Sequence, residues 1–310
     1  QLHHNPAYRM DTAGNQTAAA GTGGGKSAVL ARRNAAECDY CTIRRKTKMI
    51  DVSSKKRIVL KLGTSTLTHK TGKLNIRRMT NLVRILSDLH NAGKELLLVS
   101  SGAVGMGVGK LNLPERPKDT PSKQAAAAVG QCELMHIYDD MFSKYNVTVA
   151  QILLTRATLT NERLPHVQNT IGRLLEMGVI PIVNENDTVA IDELELEIGE
   201  NDSLSATVAA AVGADLLIIL SDINGLYSAD PRTDTNAQVI REVRKIDAHI
   251  EQMAGGAGSA LGSGGMATKI NAAKIATEAG VDMVIMNGRD PEQLYALFDG
   301  EPIGTHFLAE

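Results

Sequence analysis

Tryptophan is absent from this chain of 310 residues, and six Tyr and three Phe are its only aromatic side chains. That scarcity argues against the aromatic stacking platforms on which single-stranded nucleic acids are held. Cysteine is nearly missing too. Three, irregularly spaced, are too few for a disulfide framework; they fit a reducing compartment, and a cytoplasmic location is expected. No apolar run approaches the roughly 20 residues that span a bilayer, so neither a transmembrane helix nor a membrane partner is expected. Positive charge is concentrated at one end. The formal net charge is −2, yet residues 1–56 hold ten Lys/Arg against four Asp/Glu, a balance of +6 that leaves −8 for the rest. An acidic body is a poor binder of nucleic acid. With 43% hydrophobic residues the chain is ordinary for a globular protein, long enough for one large domain or two small ones with a substantial core.

The first 56 residues are rich in Gly, Ala, Ser, Thr and Asn without sustained periodicity, and read as a flexible tail. The first residue is Gln, which a processed product or a tag would explain; Met10 and Met49 are both conceivable original starts. The Arg-rich, acid-poor run resembles a targeting segment, although Gly21, Gly23, Gly24 and Gly25 stand where an amphipathic helix would be wanted. Two patterns here have plain explanations. AGTGGGKS ends like a phosphate-binding P-loop, but Ala20 occupies the position of its first glycine and no buried strand precedes it. Cys38 and Cys41 have the spacing of half a zinc site, while the third cysteine, Cys132, lies in a different segment.

From residue 57 the pattern becomes regular. Short apolar runs at 58–62, 95–100, 148–154, 179–183, 215–220 and 281–286 read as buried strands. Helical patterns at 76–91, 122–145, 167–177, 203–212 and 266–278 separate them. In 76–91, Ile76, Met79, Val83 and Leu86 recur at helical spacing and Gly93 ends the run. Alternation of this kind predicts an α/β fold, a mostly parallel central sheet sandwiched by helices, forming one domain over 57–310. The stretch 188–198 interrupts it with a period of two and is expected to form a β-hairpin over the site.

Residues 58–65, IVLKLGTS, set the central question. A strand buried on both faces normally excludes a charge, because desolvating an ammonium costs several kcal/mol unless an anion meets it. Lys61 pairs with a carboxylate, faces an anionic ligand, or snorkels to the edge. Gly63 lets the backbone approach closely. Right-handed crossovers bring the segments after each strand to one sheet edge, where ligands of open sheets bind. Those segments are Lys61–Ser65, then Ser100-Ser101-Gly102-Ala103, then Asn184-Glu185-Asn186-Asp187, then Glu200-Asn201-Asp202-Ser203 after the hairpin, and then Ser221-Asp222 leading into NGLY. The glycine-rich loop 255–269 completes them. Small-residue loops running into helices form anion sites, and Lys61 and Lys269 add full charges. None of these strand ends carries a His or Cys that could build a nucleophile–base pair. The set suits a reaction of positioning and charge neutralisation, which is phosphoryl transfer.

The motifs KLGTS, VSSGAV, SKQAAAAVGQ, IPIVNENDTV, GENDSLSA, SDINGLYSADPR and LGSGGMATKINAA, in this order, resemble the glutamate 5-kinase family of the amino acid kinase superfamily. The resemblance covers about residues 57–307. It implies ATP-dependent phosphorylation of the γ-carboxylate of L-glutamate to L-glutamyl 5-phosphate, the first step of proline biosynthesis. It further implies Lys61 and Lys269 on the transferred phosphoryl group, Asp202 orienting both lysines, and Gly63 beside that path. Ser101, Gly102, Asp187 and Asn201 match glutamate-binding positions. Ser221, Asp222, Ser263, Gly264, Gly265, Met266, Ala267, Thr268 and Lys269 match nucleotide-binding segments, with Lys61 also on the nucleotide. Mg2+ would be held mainly by ATP phosphates rather than by a protein metal site. Proline is an expected inhibitor, and a homo-dimer or homo-tetramer the expected assembly. The sequence departs from the family pattern in ending at Glu310 without the further carboxyl-terminal domain many members carry, in a slightly longer hairpin, and in Ser221 where threonine is frequent. The rival readings are a superfamily kinase acting on acetylglutamate, aspartate, carbamate or a nucleoside monophosphate, and a non-catalytic amino-acid sensor, which would not need both lysines.

Overall fold

The computed structural model describes residues 51–69, 73–160, 162–189, 201–255 and 265–310. Among them the chain runs β1 (Arg57–Leu62), one helical turn α1 (Thr64–Leu67), α2 (Ile76–Asn91), β2 (Glu95–Ser100), α3 (Ala103–Lys110), α4 (Thr120–Ser143) and β3 (Val149–Leu154). There follow α5 (Leu164–Glu176), β4 (Ile180–Glu185), α6 (Asn201–Ala211), β5 (Leu216–Ser221), β6 (Glu242–Val243), α7 (Ala248–Gly255), α8 (Met266–Glu278), β7 (Asp282–Asn287), α9 (Gln293–Phe298) and β8 (Thr305–Phe307). The strands form one eight-stranded sheet in the order β3-β4-β2-β1-β5-β7-β8-β6. The six strands from β3 to β7 in that order are parallel; β8 runs antiparallel to β7, and β6 parallel to β8.

Alternation along β1 sorts its side chains between two cores. Ile58, Leu60 and Leu62 pack with α2, α4 and α9 on one face. Val59 packs on the other with α5, α6 and α8. Each fully buried aliphatic side chain contributes on the order of 1.5–3 kcal/mol. Lys61 shares the parity of Val59, so it faces α6 and α8. The amino ends of β1 and β5 are tied by Asp215, whose Oδ2 accepts from the Lys56 and Arg57 amides at 2.9 and 2.8 Å. That edge is structural. The opposite edge, at the strand carboxyl ends, collects the predicted loops.

Several elements differ from expectation. Ile76 is 65% exposed because it is the first residue of α2, ahead of the stripe Met79, Leu82, Val83, Leu86 that meets the core. The GTS turn closes into α1, with the Thr66 amide donating to Gly63 O at 2.9 Å. Packing begins earlier than residue 57. Val52–Ser54 form a 3-10 turn with Val52 in the core, and Lys94 Nζ donates to the carbonyls of Ser53 and Lys55 at 2.5 and 2.6 Å. One valine among polar residues carries no periodic signal, so the sequence reads as tail there. The short elements α7, α9, β6 and β8 had no counterpart in the sequence reading. Residues 190–198 of the expected hairpin, the P-loop-like run and the Cys38/Cys41 pair lie outside the described residues. No helix among the described residues is long and apolar enough to cross a membrane.

Candidate active site

Three charges meet on the β1 face that parity selects. Asp202, the second residue of α6, is fully buried and lies between two lysines. Lys61 Nζ forms an ion pair with its Oδ1 at 2.6 Å without an aligned hydrogen bond. Lys269 Nζ, from the first turn of α8, donates to Oδ2 at 3.1 Å. Both lysines are buried. Burial alone would push the Asp202 carboxyl up; the two ammonium groups outweigh it and hold it below the usual carboxylate range. The triad sums to +1 in a place where water screens little, so it is electrostatically matched to an added anion. Thr268 belongs to the same corner, its hydroxyl donating to Gly265 O at 2.7 Å and lying 3.4 Å from Asp202 Oδ2. Gly265 is the N-cap of α8, followed by Met266, Ala267 and Thr268 in its first turn. Ser263 and Gly264 lie outside the described residues.

The next residue along the chain from one cluster begins another. Asn201, immediately before Asp202, donates its Nδ2 to Ser101 Oγ at 2.6 Å, to Asn184 Oδ1 at 3.2 Å and, at the long limit of 3.5 Å, to Ser100 O. Ser101 follows β2, and its amide donates to Leu62 O at 3.1 Å, which draws the ends of β1 and β2 together. Gly102 has φ +111 and caps α3, a backbone state that L side chains rarely adopt. The start of α3 is seated against α4 through glycines. A Cβ on Gly107 would stand 1.8 Å from Ala126 O, and one on Gly130 1.8 Å from Ala103 O. Beneath them, Ser100 Oγ and the Tyr138 hydroxyl share a hydrogen bond of 2.8 Å, and burial raises the Tyr138 pKa. Asp187 lies half-buried in the turn after β4.

On the other side of β1, Ser221 ends β5 with its hydroxyl 3.3 Å from Asp222 Oδ1. Beside it the sequence reading missed residues. Asn287 ends β7 in register with Ser221, and its Nδ2 donates to Asn224 Oδ1 at 2.7 Å. Asn224 in turn donates to the Tyr227 hydroxyl at 3.1 Å. Gly288, whose amide donates to Ser221 O at 2.7 Å, is the signal at that strand end. Thr305 in β8 anchors the same loop, accepting from the Leu226 amide at 2.8 Å and donating to Ile240 O at 2.6 Å. Three residues of a short edge strand carry no pattern from which this is readable. Strands β2 and β4 thus carry one polar cluster, β5 and β7 another, and Lys61 at the end of β1 stands between them. Among the described residues no three His, Cys, Asp or Glu side chains come together as a metal site.

The sequence model of the amino acid kinase family matches residues 56–287. Glutamate 5-kinase of Clostridium perfringens is 55% identical over 258 residues, covering 82% of this chain and 96% of that protein. Glutamate 5-kinase of Moorella thermoacetica is 53% identical over 258 residues, covering 83% of this chain and 68% of that longer protein. Among solved structures, UMP kinase from Bacillus anthracis superposes with a TM-score of 0.58 at 16% identity, covering 83% of this chain and 97% of that one, which shows a shared fold. Identity above one half across nearly the full length of a relative goes much further than fold: the chain belongs to the amino acid kinase family and, within it, to the glutamate 5-kinases.

Proposed function

We propose that this protein transfers the γ-phosphoryl group of ATP to the γ-carboxylate of L-glutamate, giving L-glutamyl 5-phosphate and ADP, the first step of proline biosynthesis. The observation that carries the reading is the shared carboxylate: Asp202 holds Lys61 and Lys269 on one side, and its neighbour Asn201 belongs to a separate amide cluster. In the reaction a carboxylate oxygen of glutamate forms a bond to the γ-phosphorus while the bond to the β–γ bridging oxygen breaks and ADP departs. A carboxylate is already a nucleophile at neutral pH, so no general base is needed. The barrier is anion meeting anion, and positioned cations lower it. Lys61 and Lys269 neutralise the transferred group, and Asp202 keeps both aimed at one point.

Ser101, Gly102, Asp187 and Asn201 hold glutamate in this reading. Ser221, Asp222 and residues 263–268, through Thr268, hold the nucleotide, and Asn287 shapes the same end. Both Asp202 oxygens are engaged by lysines, which fits Mg2+ carried by the phosphate oxygens of ATP with few protein ligands. The Mg2+ supplies charge neutralisation along the phosphate chain. Proline acting at the glutamate cluster, a homo-oligomeric assembly, a cytoplasmic location and a catalytic domain over 57–310 belong to the same proposal. ADP release measured in parallel with L-glutamate, L-aspartate and N-acetyl-L-glutamate tests it. Glutamate-dependent turnover that Lys269→Met abolishes without unfolding is expected; a preference for aspartate or N-acetylglutamate overturns the acceptor assignment.

A further inference from the structure

Deep to the acceptor cluster lies a side chain to which the mechanism assigns no role. Gln131 of α4 is 6% exposed, and its Oε1 accepts from Asn184 Nδ2 at 2.8 Å. Asn184, 2% exposed near the end of β4, accepts through Oδ1 from Asn201 Nδ2 at 3.2 Å. Gln131, Asn184 and Asn201 therefore form a relay from the helix layer to the site. An amide side chain has a donor end and an acceptor end, so such a relay has a direction.

The direction is set at the Asn201 end. Ser100 O can only accept, which holds the Asn201 amino group toward it. At the other end Gln131 Nε2 is buried with no partner among the described residues. Turning Gln131 round would set its amino group against the Asn184 amino group, so the relay keeps its sense although this donor goes unpaired. The consequence appears at Asn201. Among the described residues its hydrogen bonds use Nδ2, Oδ1 takes none, and the residue is half-buried. The relay leaves a bare carbonyl oxygen at the start of α6, next to the lysine clamp.

We propose that Gln131 is a positioning residue that sets the amide polarity of Asn184 and Asn201, so that Asn201 offers an acceptor to the α-ammonium of the amino-acid substrate. This rests on the acceptor assignment made above. A site built to bond a substrate N–H discriminates strongly against an analogue that lacks it. The relay thus confers selectivity for glutamate over glutarate, which has both carboxylates and no amino group.

The test compares kcat/KM for glutamate and glutarate in the wild-type protein, Gln131→Met and Gln131→Glu. Methionine matches the length and removes the acceptor; glutamate keeps an oxygen facing Asn184 Nδ2 in either protonation state. The wild-type protein should favour glutamate by at least about 100-fold. Gln131→Met should raise KM for glutamate roughly tenfold and shrink that preference to about tenfold, with KM for ATP unchanged and kcat nearly retained. Gln131→Glu should restore the wild-type ratio. If Gln131→Met does not fold, Asn184→Ala breaks the relay one link later and carries the same expectation. A wild-type ratio in the relay-breaking variant, or an equal loss of kcat on both substrates, overturns the proposal. A wild-type protein without glutamate-dependent ADP release would instead refute the functional reading itself.

Discussion

Replacing Asp202 with asparagine removes one charge and almost no volume, and the structure sets the cost. The carboxylate stands 2.6 Å from one ammonium and 3.1 Å from another, with no exposed surface of its own. A unit-charge pair 4 Å apart gains about 4 kcal/mol at an effective dielectric near 20, so two closer contacts gain more than about 8 kcal/mol gross. The desolvation of three buried ions offsets most of it, and breaking such a cluster from one side costs about 3–5 kcal/mol net. In a body of this size each kcal/mol lowers the melting temperature by about 2–4 °C, so Asp202→Asn should melt roughly 10 °C below the wild-type protein. Two lysines left without their shared carboxylate form an avid anion site, so Mg·ADP should raise the variant's melting temperature more than the wild type's. Turnover should fall about 10²–10³-fold, the cost of misplacing one charged donor at a developing anion. The pH dependence has a definite sign. The folded-state pKa of Asp202 is depressed below 3.8, so its contribution is complete at neutral pH and is lost as pH falls through the folded value. The two melting curves should converge only in that acid range. Scanning calorimetry with and without Mg·ADP, together with ADP release, reads all of this. A variant that melts within about 2 °C of the wild type and turns over normally would refute the clamp.

Gly130→Ala places a Cβ 1.8 Å from Ala103 O and 2.3 Å from Gly107 N, both backbone atoms. It should cost at least about 2–3 kcal/mol in urea unfolding and raise KM for glutamate more than for ATP; an unchanged midpoint would contradict the packing of α3 on α4. His306 is buried with its Nε2 on Ile303 O at 2.8 Å. Burial lowers its pKa despite that hydrogen bond and the nearby Glu242 and Asp282, while Arg241 acts in the same direction as burial. Its folded pKa lies below 6.5, so its contribution to stability is present above pH 6.5 and lost as pH falls below it. His306→Phe should flatten the wild-type decline in melting temperature on acidification, and parallel curves for the two proteins would rule that out.

What was legible in advance follows a physical boundary. Helices α2 and α8 begin and end where their apolar spacing and glycines place them, because the signals are local. The strand at 58–62 is legible, but the place of Lys61 stays open there, and only the fold shows that α6 and α8 supply the face it meets. Lys269 stands out by its charge beside the glycine-rich loop and the role of Asp202 comes from the resemblance, but the meeting of Asp202 with Lys61 and with Lys269 spans 141 and 67 residues, which no periodicity encodes. Thr305, Asn287 and Gln131 stayed invisible for a related reason. A threonine in a three-residue edge strand, an asparagine at a strand end and a glutamine within an Ala-rich helix acquire meaning only through distant partners. Val52 and Ile76 show the converse, an apolar residue whose burial is decided by where an element starts.

Asn201 and Asp202 are consecutive residues at the start of one helix. One belongs to the cluster at the ends of β2 and β4, the other to the lysine clamp. The spacing between the two is therefore ruled by a single trans peptide, about 3.8 Å from Cα to Cα, and not by side-chain packing. Any shift of the helix start carries both residues together, like two marks engraved on one ruler. The step from one cluster to the other is thus set by the backbone, for as long as that one covalent link begins the helix.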